Sequence, residues 1–471
     1  MERKVDVAVV GAGTAGRNAV RQVARSGKSF VFINGGPLGT TCARVGCMPS
    51  KVAIQLAEDF HRRGAFAGQG IDGADGLSLD VPRALEKIRS MRDFFVARTL
   101  DGDDKLHQGH FIEGYAELLE PDLLKVGDTT IRAERIVLAT GSSAIVPKAW
   151  QAFGDKILTS AEFFEQPDFP KRMAVIGLGV VGLELGQVLA RFGIEVHGFD
   201  ALPQIGGLTD PEVAEAARAA LAEDFPLHLG HPVEIVEEGD GLRLTAGQGL
   251  TKGEVSVVVD KVLVAIGRRP NTAGFDLSRF GVEVDASGVP AFDPQTMQVG
   301  ELPIFLAGDL SGDRPILHEA TDEGRIAGIN ATADTPLRFA RKTSLGITFT
   351  DPNICRVGMS WSEAEKQGAV VGAQNFARQA RSRVMGKARG LLRVYADPKS
   401  GRLLGAELAA PAGEHLAHQL AWSIQAGQTV FELLAMPFYH PVVEEGLQGA
   451  LGDLASKVEP KPSVPPGLTL A

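Results

Sequence analysis

The stretch that decides the fold is VDVAVVGAGTAG, residues 5–16, read together with RMAVIGLGVVGLELG, residues 172–186. Each is an apolar run, then GxGxxG, then a helical pattern. The glycines are Gly11, Gly13 and Gly16 in the first copy and Gly177, Gly179 and Gly182 in the second. Each helix leads to a second β-like run, SFVFIN and IEVHGFD. Asn34 stands 23 residues past Gly11 (34 − 11), and Asp200 stands 23 past Gly177 (200 − 177). Two βαβ units therefore share one spacing. In such a unit the first glycine makes the tight turn, and the second lets the backbone approach a pyrophosphate. The third lets helix and sheet pack closely, so that the helix N-terminus faces the phosphates. One copy is weak evidence for a dinucleotide site; two matched copies are strong.

The polar residue after each unit sets the expected nucleotide. Asp200 can accept both ribose hydroxyls of an adenosine, and no Arg or Lys follows in DALPQIGGLTDPEVAEAA to hold a 2′-phosphate. The second site thus favours NAD(H). Asn34 is neutral but can still hydrogen-bond a ribose. Three more β-like runs end in glycine: RIVLATGS (135–142), KVLVAIGRRP (261–270) and PIFLAGDL (303–310). They read as buried strands delivering loops to the carboxyl edge of a sheet. Asp309, directly after Gly308, calls for a hydroxyl or amide partner.

Composition narrows the class. The chain has 471 residues, enough for two to four domains, and is 44% hydrophobic and 23% charged, the balance of a chain with several cores. A net charge of −10 argues against a nucleic-acid partner. No apolar run is long enough for a membrane span. The strand-like start of MERKVDVAVVGAG leaves no expected leader peptide. Three cysteines cannot make a secreted disulfide framework, so a reducing, cytoplasmic setting is expected.

Two of those cysteines, Cys42 and Cys47, lie in GTTCARVGCMPSK, residues 39–51. An unbroken helix would part them by about 7.5 Å of rise and about 140° of rotation. A disulfide needs Cα atoms within about 4.4–6.8 Å. Either they never bond, or the helix is distorted between them, which Gly46 permits. CMPSK reads as a helix restart with Pro49 in its first turn. There the helix dipole and Lys51 favour a thiolate at Cys47. Zinc would need further ligands, and none is near in sequence. Cys355 stands alone between apolar residues and reads as a buried thiol. Near the C-terminus, PFYHPVVEEGL places Glu444 and Glu445 shortly after His440, so a carboxylate can orient the imidazole. The pairs His107/His110, His228/His231 and His415/His418 read as surface or packing residues. From about residue 345 the texture is that of an α+β domain, followed by a proline-rich tail, EPKPSVPPGLTLA.

Taken together, GAGTAG, TCARVGCMPSK, ATGS, GLGVVGLELG, AIGRRPN, LAGD and HPVVEE resemble the flavin-dependent pyridine nucleotide–disulfide oxidoreductases over essentially the whole chain. Within that family the pattern is most similar to the dihydrolipoamide dehydrogenases. The resemblance implies an α/β fold with two Rossmann-like dinucleotide-binding domains and a C-terminal α+β dimerisation domain. FAD would be bound by residues 1–149 and 271–344, NAD by 150–270, and 345–471 would form the interface of a homodimer. For FAD it implies Gly11, Gly13, Gly16, Asn34, Lys51, Ala116, Thr140, Gly141, Ser142 and Asp309. For NAD(H) it implies Gly177, Gly179, Gly182, Asp200 and Gly267.

The resemblance also implies roles. Cys42 would be the interchange thiol and Cys47 the flavin-proximal, charge-transfer thiol of a redox disulfide. Lys51 and Glu184 would pair near the flavin. His440 would be the acid/base, oriented by Glu445, both supplied by the partner subunit. The implied substrate is a small dithiol or disulfide such as a lipoyl group, within or outside a 2-oxo acid dehydrogenase complex. A quinone or other disulfide as substrate, or a redox sensor or scaffold with weak turnover, are the alternatives. No metal is implied. The chain departs from the family pattern at Asn34, at Gly39-Thr40 for Gly-Gly, at Arg44 between the cysteines and at Phe438. None removes a reacting atom; Arg44 leaves the substrate open.

Overall fold

The computed structural model describes residues 2–103, 106, 108–247, 253–459, 461 and 463–468. The chain divides into two compact units, one of residues 1–49, 87–145 and 267–341 and the other of 50–86, 146–266 and 342–471.

In the first unit a parallel sheet runs in the order Phe111–Glu113, Phe30–Asn34, Glu2–Val10, Thr129–Leu138 and Ile304–Leu306. That doubly wound order puts the chain reversal beside the first glycine turn. Strand Thr129–Leu138 is long enough to serve two neighbours on one edge. Its start pairs antiparallel with Leu123–Val126, and its end pairs parallel with Ile304–Leu306. The strands are apolar without alternation because both faces are covered. Val7 and Val9 enter one core with Phe30 and Phe32, while Ala8 and Val10 enter the other with Val31 and Ile33.

Helix Thr14–Ser26 is packed on one face by helix Leu317–Asn330. Gly324 and Gly328 make the crossing possible. A Cβ on either would run into backbone atoms of Ala15 or Ala19.

In the second unit a parallel sheet runs in the order Leu227–Leu229, Glu195–Asp200, Arg172–Ile176, Lys261–Val264 and Ile157–Leu158. A three-stranded antiparallel meander of Val233–Glu238, Gly241–Ala246 and Val255–Val259 lies in the same segment. The C-terminal portion is an antiparallel sheet in the order Leu345–Thr348, Asn353–Gly358, Leu403–Ala410, Leu391–Ala396 and Val370–Asn375. Helices Gly413–Gln425 and Glu445–Ala455 pack on it. Cys355 is fully buried in this core, and burial pushes its thiol pKa far up.

Buried charge joins helix Pro211–Leu221 to the C-terminal sheet inside this unit. Asp210 caps helix Pro211–Leu221 by accepting from Glu212 N at 3.0 Å. The same carboxylate accepts from Arg393 Nη1 at 2.7 Å and from the Tyr395 hydroxyl at 2.9 Å. Buried Glu407 accepts from the backbone N–H groups of Thr209 and Asp210 at 2.7 and 2.9 Å. Every acceptor in this cluster has a donor, so its burial is tolerated. No helix among the described residues is long and apolar enough to cross a membrane.

The helix crossing gives a direct test. Gly324→Val should destabilise the protein by about 1–3 kcal/mol, because backbone rather than a movable side chain blocks the added atoms. Thermal unfolding of the variant beside Gly64→Ala, where the space is open, checks this.

Candidate functional site

Both glycine turns are built alike, each within its own unit. In the first, strand Glu2–Val10 ends at Gly11, whose N–H donates to Ile33 O at 2.8 Å. Gly11 takes φ +103°, and a Cβ there would strike Ala139 O. A Cβ on Gly16 would strike Gly11 O. At Gly13 nothing lies within 4 Å. In the second unit Gly177 takes φ +94° and its N–H donates to Phe199 O at 2.8 Å. A Cβ there would strike Ala265 O, and one on Gly182 would strike Gly177 O, while Gly179 again faces open space.

The outer glycines are thus required by the protein's own backbone. The middle one is required by nothing in the chain and leaves room at a helix N-terminus. That is the shape a dinucleotide pyrophosphate fits.

The polar residues behind the turns also match. Asn34 Oδ1 accepts from Ala12 N at 3.0 Å, and Asp200 Oδ2 accepts from Leu178 N at 2.6 Å. Ala12 and Leu178 hold the same place in the two motifs. Asp200 Oδ1 accepts from Leu202 N at 2.8 Å, so the carboxylate is oriented from both sides.

The other loops of the first unit converge on Asp309, which accepts from Ser142 Oγ at 2.6 Å. Arg268, from the AIGRRPN motif, donates to Ser142 Oγ at 2.8 Å and lies 3.9 Å from Asp309. Thr140 and Asn271 exchange bonds, the hydroxyl donating to Asn271 O at 2.7 Å and the amide to Thr140 O at 2.9 Å. Gly141, between these loops, takes φ +73° with open space before it. Ala116 is buried at the start of strand Ala116–Glu120. Gly267 accepts from Ile145 N at 3.1 Å.

Glu323 was not singled out by the sequence reading. It is fully buried and accepts from Gly308 N at 2.8 Å, bracing the Asp309 turn. Burial pushes its carboxyl above the ordinary range, against the pull of Arg341 at 2.7 Å. Nothing local in ATDEGRIAGIN marks it, because its partners lie on other segments.

The cysteines resolve the alternative their spacing left open. Helix Thr41–Val45 stops at Gly46, whose φ of −130° and ψ of −114° are not helical. Helix Cys47–His61 then restarts. The break brings the two Cα atoms to 4.7 Å, and Cys42 and Cys47 form a disulfide. Thr40 caps the first of these helices, its Oγ1 accepting from Ala43 N at 3.2 Å. It takes φ +62°, an uncommon conformation for a β-branched residue.

Two further pairs belong to the second unit. Lys51 Nζ donates to Glu184 at 2.7 and 2.8 Å, with Glu184 buried on helix Val180–Arg191. His440 Nδ1 lies 2.8 Å from Glu445 Oε1, and Glu445 Oε2 accepts from Val442 N at 3.1 Å. The hydrogen bond with His440, then that with Val442, hold the Glu445 carboxyl below the usual range. The imidazole itself is 75% exposed. Such an arrangement fixes the ring's orientation and leaves its other nitrogen free to exchange a proton. Among the other histidines, His228 lies 3.3 Å from His197, while His107 lies outside the described residues. Among the described residues no three His, Cys, Asp or Glu side chains gather as a metal site.

The chain matches known proteins over most of its length. Residues 5–324 match the pyridine nucleotide-disulphide oxidoreductase family, and residues 345–451 match the dimerisation domain of the same family. The chain is 32% identical to a dihydrolipoyl dehydrogenase of Thermus scotoductus, over 94% of this chain and 96% of that one. It is 30% identical to a dihydrolipoyl dehydrogenase of Haloferax volcanii, over 94% and 95%. Among solved structures it is similar in fold to the HOCl-induced flavoprotein disulfide reductase RclA of Escherichia coli. The TM-score is 0.80 at 23% identity, covering 95% of this chain and 99% of that one. The chain belongs to the pyridine nucleotide–disulfide oxidoreductase family. It is a flavoprotein oxidoreductase whose cofactors are FAD and NAD(H).

The glycines separate packing from binding. Gly13→Val should leave the far-ultraviolet circular dichroism intact and yet lose most of the bound flavin absorbance. Gly16→Val should fail to fold, since its side chain has no space at all.

Proposed function

We propose that the chain oxidises a small dithiol with NAD⁺, dihydrolipoamide being the best-supported substrate, and runs the reverse reaction with NADH. The observation that carries this reading is the Cys42–Cys47 disulfide across the break at Gly46. A disulfide closing so short a loop beside a helix N-terminus is suited to exchange. The similarity to dihydrolipoyl dehydrogenases supports the choice of substrate.

The proposed roles follow the residues. Residues 1–149 and 271–344 would hold FAD along the first glycine turn, with Asn34 at the ribose and Asp309 at the ribityl chain. Residues 150–270 would hold NAD(H) on the second turn and Asp200. When bound, FAD supplies a two-electron acceptor and NAD⁺ the final hydride acceptor. A substrate thiolate attacks Cys42 Sγ, and the Cys42–Cys47 bond breaks to leave a Cys47 thiolate. The second substrate thiol, its proton taken by His440, attacks the mixed disulfide and releases Cys42 as a thiolate. The substrate leaves as a disulfide, and the enzyme retains two electrons. Glu445 orients His440, and the Lys51 ammonium stabilises negative charge developing close by.

Residues 345–471 would form a homodimer interface, in line with the dimerisation-domain match and with exposed Trp422 and Tyr439. Each active centre would then take His440 and Glu445 from the partner chain. Docking to a 2-oxo acid dehydrogenase complex belongs to the same proposal.

A second reading, an anionic disulfide as substrate, is favoured by Arg44. Its guanidinium lies between the two cysteines in sequence. Among the described residues its hydrogen bonding is confined to a 3.5 Å contact with Pro37 O.

Purified holoenzyme should be assayed with dihydrolipoamide, glutathione and a quinone, each with the NAD and NADP couples. The lipoyl substrate with NAD should lead in kcat/KM by about a hundredfold. Preference for glutathione, reversed by Arg44→Asn, would support the second reading instead. Cys47→Ser should abolish the long-wavelength absorbance that appears on two-electron reduction, and His440→Gln should slow turnover by about 10²–10⁴-fold. Undiminished dithiol turnover in Cys47→Ser would defeat the disulfide mechanism.

A further inference from the structure

Lys51–Glu184 is one of two ion pairs that join the same two helices. Seven residues further along each (58 − 51 and 191 − 184), Glu58 Oε2 accepts from Arg191 Nη1 at 2.6 Å. Equal offsets mean that helices Cys47–His61 and Val180–Arg191 run in the same direction. Seven residues are two turns less about 20°, so both pairs lie on one seam, separated by about 10.5 Å of rise.

The seam is closed between the pairs by a third segment. Phe349 N donates to Glu184 Oε1 at 2.9 Å, and the Phe349 ring lies 4.5 Å from Lys51 Nζ. Gln187, one turn on, accepts from Asp351 N at 2.9 Å and donates to Asp351 O at 3.0 Å.

The far pair is far more heavily built than a helix–helix contact needs. Arg191 is buried and also meets Asp224 at 3.1 Å and Asp351 at 3.3 Å. Lys387 donates to Glu58 at 2.6 Å, and Arg389 reaches Asp351 at 3.3 Å. Three carboxylates thus face three cations. Burial pushes the Asp351 carboxyl up, but Lys387, Arg389 and Arg191 together hold it below the usual range. A buried guanidinium stripped of one partner is costly, so the cluster resists rearrangement.

One ion pair would leave a helix free to slide or roll about it. Two at heptad spacing remove both freedoms. The helix so fixed carries Cys47 as its first residue and Lys51 one turn later. We propose that Glu58 and Arg191 are positioning residues for the redox exchange. They hold helix Cys47–His61 at the depth and rotation that keep Lys51 on Glu184 and set where Cys47 stands. This inference rests on the roles proposed above for Cys47 and Lys51.

The test uses FAD-loaded holoenzyme. Glu58→Gln removes one charge at nearly constant shape and leaves Arg191 its partners Asp224 and Asp351. It should lose roughly half of the long-wavelength absorbance on two-electron reduction and about tenfold in kcat, with KM for NAD⁺ within about twofold, because a small misplacement of reacting groups costs rate more than nucleotide binding. Glu58→Asp should recover part of both. Arg191→Lys keeps the charge but loses the forked donor, and should move both readouts the same way; it carries the test if Glu58→Gln does not fold. Folded variants with wild-type absorbance and kcat would overturn the proposal. A wild-type enzyme lacking any Cys47-dependent absorbance would defeat the function reading instead, and the two failures are told apart by the Cys47→Ser control.

Discussion

Close backbone approaches at the two glycine turns set the architecture of each unit. Where strand Glu2–Val10 turns into helix Thr14–Ser26, Gly11 and Gly16 let three stretches of main chain come together with no side chain between them. The same happens at Gly177 and Gly182 in the second unit. Each turn sits at the carboxyl end of a parallel sheet, where the next strand approaches from the other side: Ala139 donates to Val10 O at 2.8 Å, and Ala265 donates to Ile176 O at 2.7 Å. A larger residue at any of these four positions would push apart the elements that hold the nucleotide-binding loops. The open space at Gly13 and Gly179 exists only because the other glycines draw the helix so close.

Around these turns the protein uses buried charge as a positioning material. Glu323 fixes the turn that carries Asp309, Asp210 and Glu407 bind the C-terminal sheet to a helix of the second unit, and Arg191 gathers three carboxylates. In each case a backbone N–H or a forked guanidinium satisfies the acid. Such clusters contribute little net stability over an apolar equivalent, but they tolerate very few geometries. Geometry is what a redox centre needs, since exchange between sulfur atoms depends on line and distance.

The departures from the family pattern have physical readings. Asn34 uses its one acceptor oxygen on Ala12 N, the bond that Asp200 makes to Leu178 N in the other unit, so loss of the carboxylate spares the turn. Thr40 accepts an uncommon backbone conformation and returns a helix cap through its hydroxyl. Arg44 changes the charge beside the cysteines, and among the described residues its guanidinium makes only a long contact, 3.5 Å to Pro37 O.

The two glycine motifs, the strands that precede them and the ribose-position residues were all legible in the sequence, because each is local: a turn, a two-sided strand and a fixed count of 23 residues. The family pattern also paired Lys51 with Glu184 and His440 with Glu445, and the structure holds each pair within hydrogen-bond distance. What spacing could not settle was the bond between Cys42 and Cys47. Five residues of helix forbid it, and the backbone of Gly46 alone permits it. Nor did any local signal mark Glu58, Arg191 or Glu323. Their partners stand on other segments, up to 329 residues away between Glu58 and Lys387. A side chain's chemical identity is written in its own position, but the charge it must meet is chosen by the packing of segments that no short-range periodicity connects.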